Sequence, residues 1–303
     1  MINKDVLISV VVPAYNYAHT LARTIDSVVS QLTDECELLI IDDGSTDTTR
    51  QVIAELHRRY PARFRALYQA NAGLASVRNL GIDQALGQYL IFLDADDEMA
   101  PNAIAALLAH LRQNPTTRMV IGGHLSVYAT GKHVLQQPVH LPAQPLNRVR
   151  GYLLDKTLPI SNGACAMHRE VFAIGRYPVQ FRNAEDIPVF AQVLARYECT
   201  ILNAPLALIY KHDDSLRHNL EYSMQIGEEL IEEVFDSKRL PQEFNVLRRA
   251  FVAQRNLSLF RAFAAVGRKA EALGFYKKAI KADLKSLFKW SYTRKAVRLW
   301  VKP

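Results

Sequence analysis

The feature that most constrains the fold is an alternation, over the first 115 residues, of short apolar runs with segments of helical periodicity. The apolar runs cover 7–12, 37–41, 64–68 and 89–93. The helical patterns cover 21–31, 46–60, 74–85 and 101–113, the last with Pro101 in its first turn. Apolar strands joined by helices form parallel sheets covered on both faces. The pattern therefore predicts an α/β fold with a mostly parallel, Rossmann-like sheet.

The rest of the chain divides into two parts. Residues 116–218 mix short strands with helices near 146–154 and from Asp186, and we expect them to complete the first domain. Residues 219–303 have helical patterns throughout. The predicted organisation is one domain over 1–218, with halves at 1–115 and 116–218, followed by a helical, basic C-terminal region.

Charge is distributed unevenly along the chain. The net charge is +7, but residues 237–303 hold 17 Lys and Arg against 3 Asp and Glu, so this tail carries +14 and the first 236 residues carry −7. A basic tail predicts an anionic partner. We expect a membrane surface rather than nucleic acid, because the sequence has no zinc-binding spacing, helix-turn-helix signature or RNP-like strand.

The cysteine pattern and the lengths of the apolar runs indicate the cellular compartment of the protein. Cys36, Cys165 and Cys199 are odd in number and have no CxxC spacing, which argues against a disulfide framework or a zinc site. No apolar stretch approaches the ~18 residues that a membrane-spanning helix needs, and the N-terminus lacks a signal-peptide pattern. The sequence thus predicts a cytoplasmic protein that can lie on the inner face of the plasma membrane.

Polar clusters follow three of the predicted strands, at 13–16, 42–47 and 94–97. In parallel α/β sheets, ligands bind outside the carboxyl ends of the strands. The three clusters therefore predict one ligand site at that edge.

The last cluster contains Asp94, Ala95 and Asp96, a DxD pattern, followed by Asp97. Crowded carboxylates repel one another, and Mg²⁺ or Mn²⁺ among them relieves the repulsion by binding one or two carboxylates together with phosphate oxygens. The alternative is that Asp96 or Asp97 caps the helix that follows Pro101.

Three segments together resemble a known family: VVVPAYNYAHTL, LLIIDDGSTDTT and NAGLASVRNLGIDQALGQYLIFLDADDEMAP. In this order and spacing they resemble the nucleotide-sugar-binding half of family 2 glycosyltransferases with the GT-A fold, closely over 7–115 and more loosely to about 216. The resemblance implies transfer of a sugar, with a divalent metal and with inversion, from a nucleoside-diphosphate donor to a hydroxyl of a bacterial surface glycan or glycolipid.

The resemblance also implies a donor site. In it Pro13, Ala14, Tyr15 and Asn16 line the nucleoside pocket. In the same resemblance Asp43 accepts a hydrogen bond from the base, Asp42 is the weaker candidate for this role, and Ser45 lies beside them. A carboxylate that accepts from an imide N–H favours UDP, although thymine has the same imide edge. Arg78 lies over the base or phosphates, Asp94 contacts the ribose beside Ala95, and Asp96 holds the metal. Without the family, Tyr15 and Asn16 form an ordinary turn and Arg78 lies on a solvated helix face.

The acceptor side depends on Glu185 and Asp186, which resemble the family's acidic pair. Asp186 is the expected general base, since a sugar hydroxyl is a poor nucleophile, and Glu185 orients it or contacts the acceptor. The alternative is that both stabilise a helix start through the helix dipole. By resemblance, His212 ligates the metal or the diphosphate, although a lone His is usually a surface residue. Asn162 and Gly163 border the acceptor site or form a turn.

Several alternatives stay open at this point. A sugar-phosphate nucleotidyltransferase would hold a similar ligand, but PAYNYAHT is neither glycine-rich nor basic. A non-catalytic nucleotide-sugar-binding protein could lose the base, yet both DxD and ED are present. Residues 284–301 form a basic amphipathic pattern with Trp290 and Trp300, which fits an anionic membrane interface or packing on the catalytic domain.

Overall fold

A computed structural model describes residues 6–211, 224 and 227–301. Its first half alternates strands and helices as the sequence predicts. The elements are β1 (Ile8–Ala14), α1 (Leu21–Val29), β2 (Cys36–Asp42), α2 (Thr49–Arg59), β3 (Arg65–Tyr68), α3 (Leu74–Gln84), β4 (Tyr89–Phe92), β5 (Glu98–Met99) and α4 (Ala103–Gln113).

The second half is more irregular. Its elements are β6 (Met119–Tyr128), β7 (His133–Gln136), α5 (Pro145–Arg150), a one-turn π-helix (Gly151–Asp155), β8 (Cys165–His168), α6 (Asp186–Arg196) and β9 (Cys199–Lys211). The helices α7 (Gly227–Val234), α8 (Arg248–Ala265), α9 (Lys269–Ala282) and α10 (Trp290–Val301) follow.

One sheet runs through the molecule in the order β3-β2-β1-β4-β8-β6-β9-β5, with β7 also paired to β6. The strands β3, β2, β1 and β4 are mutually parallel, whereas β8 is antiparallel to both of its neighbours. The strands β6 and β9 pair in parallel, and β5 adds an antiparallel edge. The fold is therefore the predicted α/β architecture with a mixed second half.

The core lies on both faces of this sheet because its central strands are apolar on both sides. All seven residues of β1 are buried. Val11, Leu39 and Phe92 pack in one cluster, and Val10 and Ile40 pack in the other. All three cysteines are free, and Cys165 is a fully buried core residue.

The C-terminal helices pack in two ways. Leu230, Phe235 and Phe251 belong to the same hydrophobic cluster as the sheet, whereas Phe260 and Tyr276 belong to a separate cluster. The chain from α7 into the start of α8 is thus part of the main core, and a smaller core holds the end of the chain. The domain boundary near 218 remains a prediction.

One helix start differs from expectation. Pro101 lies before α4 rather than in its first turn, and Asn102, at φ 61°, occupies the N-cap position. Neither Asp96 nor Asp97 caps this helix, so that alternative is wrong. The cause is β5, because Met99 pairs with Ala207 of β9 and extends the chain along the sheet before the helix can begin.

Candidate active site

Three loops meet at the carboxyl edge of the sheet because β1 pairs in parallel with both β2 and β4. Ala14 lies opposite Asp42, and Val11 lies opposite Phe92, so the three strands end side by side. The predicted convergence of the loops after β1, β2 and β4 is confirmed.

The first loop is bound to the second through Asn16. Its backbone N–H donates to Ser45 Oγ at 2.9 Å, and its side-chain oxygen accepts two backbone N–H groups of the β2 loop, at 2.8 and 3.2 Å. Asn16 has a φ of 61°, a left-handed conformation that Asn tolerates better than most residues. Pro13 and Ala14 are buried in β1, whereas the Tyr15 side chain is 43% exposed at the edge. The Tyr15 side chain is therefore accessible to a ligand at this edge.

The two aspartates that end β2 have different surroundings. Asp42 is fully buried, and its carboxylate accepts from the Ser45 N–H at 3.1 Å and pairs with Arg50 at 2.8 Å. Asp43 is also buried and accepts from Gln69 at 2.6 Å on Oδ1. The Asp42 carboxylate thus has partners within its own loop and helix, which favours a structural role.

The carboxylate of Asp43 binds the loop before α3. The N–H of Ala72 donates to Oδ1 and that of Gly73 to Oδ2, both at 2.9 Å. A carboxylate oxygen can accept about two hydrogen bonds, so Oδ2 keeps capacity for a ligand donor. Gly73 has a φ of 90°, and a Cβ there would lie 2.4 Å from Nη1 of Arg182. The exposed Arg182, which we did not identify from the sequence, therefore lies against this loop, three residues before Glu185.

Arg78 joins the donor and acceptor candidates. Its side chain is buried and contacts Asp94 at 3.1 Å through Nη2 and Glu185 at 2.5 Å through Nη1. Burial alone lowers the pKa of Arg78, but the charges of Asp94 and Glu185 raise it above its ordinary value. The guanidinium also lies 5.4 Å from the centre of the Tyr177 ring. The alternative of a solvated helix face is therefore wrong.

Asp186 occupies the first turn of α6, next to Glu185 in the N-cap position. Burial, together with the charge of Glu185, raises the pKa of Asp186 to about 7, while Arg78 opposes the rise. A carboxyl group with this pKa can take up a proton near neutral pH, which suits a general base. The site therefore combines a buried cation with a carboxylate that is half ionised near pH 7.

The loop after β4 is held by helix α1. The carbonyl of Ala95 accepts from Thr20 Oγ1 at 2.8 Å and from Thr24 Oγ1 at 2.9 Å. Arg23 donates to the carbonyl of Asp96 at 2.7 Å. These contacts fix the backbone between the two DxD carboxylates. Thr20, Arg23 and Thr24 form no recognisable motif in the sequence, since Thr20 precedes α1 and Thr24 is buried among the apolar residues of that helix.

The third acid of the loop is a buried structural residue. Asp97 accepts the Tyr210 N–H at 2.9 Å, which ties the DxD loop to β9. Burial, followed by the charges of Asp94 and Asp96, raises the pKa of Asp97 well above its ordinary value. The loop is therefore crowded with negative charge, a situation that a divalent cation would relieve.

Protein ligands alone form no metal site within the part of the chain that the structure describes. Among residues 6–211, 224 and 227–301, no group of three or more His, Cys, Asp or Glu side chains is arranged to hold a metal ion. The carboxylates of Asp94 and Asp96 nevertheless fit Mg²⁺ or Mn²⁺, which bind one or two carboxylates and take their other ligands from phosphate and water. His212, the other predicted ligand, lies outside the described residues.

The two remaining acceptor candidates lie beneath the site. Asn162 is buried and accepts the Tyr177 hydroxyl at 2.7 Å. A Cβ on Gly163 would lie 3.2 Å from the Leu93 side chain. Both residues pack under the end of β4, and their contact with an acceptor remains a prediction.

The model of glycosyl transferase family 2 matches residues 9–174 of the chain. An uncharacterized glycosyltransferase from Nostoc sp. is 41% identical over 101 residues, which are 33% of this chain and 31% of that protein. The hyaluronan synthase of Pasteurella multocida is 35% identical over 133 residues, 44% of this chain and 13% of that protein. The chain thus spans about a third or less of the length of these curated relatives.

Solved structures share the fold. S. aureus TarS 1–349 in complex with UDP-GlcNAc aligns with a TM-score of 0.68 and 18% identity, over 97% of this chain and 89% of that one. The mannosyltransferase PcManGT from Pyrobaculum calidifontis, in complex with GDP-Man and Mn²⁺, aligns with a TM-score of 0.58 and 15% identity, over 97% and 84%. At such low identity these neighbours establish the GT-A fold alone. Because the family model covers more than half of the sequence, the chain belongs to glycosyl transferase family 2.

Proposed function

We propose that the chain transfers a sugar from a nucleoside-diphosphate donor to a hydroxyl of a bacterial cell-surface glycan or glycolipid, in one inverting step that depends on a divalent metal. The observation that carries this proposal is the buried bridge of Arg78 between Asp94 and Glu185, beside an Asp186 carboxyl whose pKa is about 7. The bridge joins the end of the predicted donor strand to the start of the predicted acceptor helix.

The donor binds at the carboxyl edge of the sheet. Tyr15 is exposed to stack on a base, and Asp43 Oδ2 can accept an imide N–H, which favours UDP over GDP. Pro13, Ala14, Asn16 and Ser45 shape this pocket. UDP-GlcNAc and GDP-Man in the neighbours support a nucleotide-sugar donor of this general kind.

The diphosphate leaves toward the DxD loop. Asp96, with Asp94 and Ala95 beside it, would hold Mn²⁺ or Mg²⁺ there, and His212 is the proposed additional ligand. The bound cation supplies positive charge that offsets the charge developing on the leaving diphosphate. The leaving group would then need no protonated acid, because the cation would take its charge.

Asp186 acts on the other reactant. It accepts the proton of the acceptor hydroxyl as that oxygen bonds to the anomeric carbon and the bond to the diphosphate breaks. Attack opposite the leaving group inverts the anomeric centre, and one base is sufficient. Glu185 is held by Arg78 at 2.5 Å and orients this end of α6, with Asn162 and Gly163 beneath the acceptor.

The C-terminal region is the part of the chain for which we propose membrane contact. Trp290 is 68% exposed, Trp300 is 80% exposed and Phe288 is 85% exposed, among five Lys and Arg between 284 and 301. Trp290 and Trp300 lie on α10, and Tyr292 and Leu299 of the same helix pack on the smaller core. The end of the chain thus packs through one face and exposes a second apolar, basic face, which suits an anionic inner leaflet. No helix among the described residues has the length and hydropathy to cross a bilayer.

Donor turnover tests the proposal. The protein is incubated with UDP-, dTDP- and GDP-sugars in Mn²⁺, Mg²⁺ or EDTA, and released nucleoside diphosphate is measured. We expect release from one donor only with metal, with a loss of about 10²-fold or more in Asp186→Asn and in Asp96→Ala. Glu55→Gln, an exposed carboxylate on α2, is the matched control. The proposal is overturned if no donor is turned over and if calorimetry detects no binding of any donor.

A further inference from the structure

Arg182 lies against the loop that holds Asp43, although it belongs to the second half of the chain. Its guanidinium carbon lies 3.2 Å from the position that a Cβ on Gly73 would occupy, and its Cδ lies 3.8 Å from that position. A side chain on Gly73 would also be strained by the φ of 90°. The glycine therefore gives the guanidinium room to pack directly on the backbone before α3.

A short loop fixes the place of Arg182. Phe181 before it is buried in the core, and Glu185 after it is buried and accepts from Arg78 at 2.5 Å. Between them, Ala184 has a φ of 61°, a left-handed conformation that costs free energy for a residue with a side chain. Both ends of the loop are thus anchored, and the loop brings Arg182 to the carboxyl edge of the sheet.

The polar groups around Asp43 leave one position open. Gln69 and the N–H of Ala72 donate to Oδ1, and the N–H of Gly73 donates to Oδ2. The side chain of Asn71 donates to the Asp43 carbonyl at 3.1 Å. These four donors are therefore engaged by Asp43 itself, while Oδ2 can accept one further N–H from a ligand.

The donors of Arg182 are available to a ligand. Its side chain is exposed, and within the described ranges it makes no hydrogen bond or ion pair. Arg78, by contrast, uses Nη1 on Glu185 and Nη2 on Asp94. Because the Arg182 guanidinium packs on Gly73 and the N–H of Gly73 contacts Oδ2, a planar fork of N–H donors lies beside the open acceptor position of Asp43.

This combination matches the edge of a pyrimidine imide. Uracil and thymine have one N–H between two carbonyl groups, so they need one acceptor with a donor beside it. Asp43 Oδ2 supplies the acceptor, and a guanidinium supplies a donor whose charge strengthens the hydrogen bond. Guanine places two N–H donors side by side and needs two free acceptors, whereas Oδ1 of Asp43 already accepts two hydrogen bonds.

We propose that Arg182 determines the base specificity of the donor site by donating to a carbonyl group of uracil or thymine, whose imide N–H is accepted by Asp43. The inference rests on the proposed function and deepens it. It adds a base contact from the second half of the chain to the contacts implied by the motifs of the first half. The packing of Arg182 on Gly73 then joins the two halves at the base.

The test measures nucleotide binding to the full chain by calorimetry at constant Mn²⁺. UDP is compared with 2-thio-UDP and 4-thio-UDP, in each of which sulfur, a weak acceptor, replaces one carbonyl oxygen. We expect the wild type to bind one of these analogues about tenfold more weakly than UDP, and we expect this preference to disappear in Arg182→Met. The position of the sulfur in that analogue identifies the carbonyl group.

Controls separate a base contact from other effects. Arg58→Met removes an exposed arginine of α2 and should keep the wild-type preference. Inorganic pyrophosphate should bind Arg182→Met as it binds the wild type, because the proposed contact is with the base. In turnover, Arg182→Met should raise the KM of the donor about tenfold with little change in kcat, since a base contact is the same in the ground state and the transition state.

Three outcomes overturn the inference. The wild type binds UDP and both thio analogues equally, or Arg182→Met keeps the wild-type preference, or this variant loses the binding of UDP and of pyrophosphate to the same degree. Metal-dependent turnover of a UDP-sugar or dTDP-sugar by the wild type reports the proposed function separately. A failure of one is therefore distinguishable from a failure of the other.

Discussion

The ionisation of Asp186 makes a prediction about the pH dependence of the reaction. Burial and the charge of Glu185 raise its pKa to about 7, and only the ionised carboxylate can accept the hydroxyl proton. With that pKa, about half of the enzyme is active at pH 7, about a tenth at pH 6 and about nine tenths at pH 8. The rate should therefore fall about fivefold between pH 7 and pH 6.

Glu185→Gln changes this profile in a defined direction. Removing a neighbouring negative charge favours the ionised form of Asp186, so its pKa falls and the acid side of the profile moves to lower pH. Because Glu185 also binds Arg78, we expect a lower maximal rate at the same time. The shifted profile separates the electrostatic effect from the loss of rate.

The assay is the initial rate of nucleoside diphosphate release from pH 5 to pH 9, at saturating donor and constant Mn²⁺. Wild type, Glu185→Gln and the control Glu55→Gln are compared at one ionic strength. The reasoning is refuted if the wild-type rate is flat down to pH 5, or if the profile of Glu185→Gln moves to higher pH.

Three further predictions concern Asp186, the hydrogen bonds of Thr24 to the DxD loop, and the exposed Trp300. Asp186→Asn should raise the melting temperature by a few degrees at pH 8 and by less at pH 5. A carboxyl group whose pKa is higher in the folded than in the unfolded state destabilises the folded protein increasingly as pH rises, and thermal unfolding at the two pH values measures the difference. Thr24→Val removes the hydroxyl hydrogen bonds to the DxD loop, so it should lower the free energy of unfolding by about 1–3 kcal/mol and weaken the binding of UDP and Mn²⁺. Thr24→Ser keeps the hydroxyl and should retain both the stability and the binding, which denaturation and calorimetry measure. Trp300→Ser should reduce sedimentation with anionic vesicles severalfold while donor hydrolysis stays unchanged; equal sedimentation would contradict the membrane contact.

The first half of the fold could be predicted closely because its signals are local. The apolar run 89–93 became Tyr89–Phe92 and the helical pattern 74–85 became Leu74–Gln84. Each buried strand is apolar on both sides and is bounded by polar loops, so neither its type nor its limits depend on distant residues. The same logic placed three ligand loops at one edge of the sheet.

Pro101 shows where local signals are insufficient. Proline is favoured in a first helical turn, yet the helix begins only at Ala103. The backbone N–H of Ala100 donates to Leu206 at 2.9 Å, and Met99 pairs with Ala207, so a partner more than 100 residues away keeps the chain extended. Propensity at one position could not reveal that partner.

The candidate site likewise combines residues that short motifs predict with residues that they do not. The acidic motifs were recognisable because they follow strands, but the burial of Arg78 depends on Asp94 and Glu185, which lie 16 and 107 residues away along the chain. Thr20 and Thr24 support the DxD loop from a helix with no distinctive motif. Contacts of this kind form only when segments distant in the sequence pack together, so short sequence motifs do not reveal them.

The acceptor side depends even more on assembly, and this explains why its chemistry differs from that of the donor side. Apart from Arg182, the proposed donor contacts come from three neighbouring strands of one sheet, so short motifs are enough to specify them. The proposed acceptor side instead needs Glu185 before α6 to meet Arg78 of α3, and the π-helix 151–155 to meet α8, which are contacts between segments far apart in the sequence. The motifs proposed for the donor side can therefore be recognised in a single sequence, whereas the acceptor side can be described only once these distant segments have packed together.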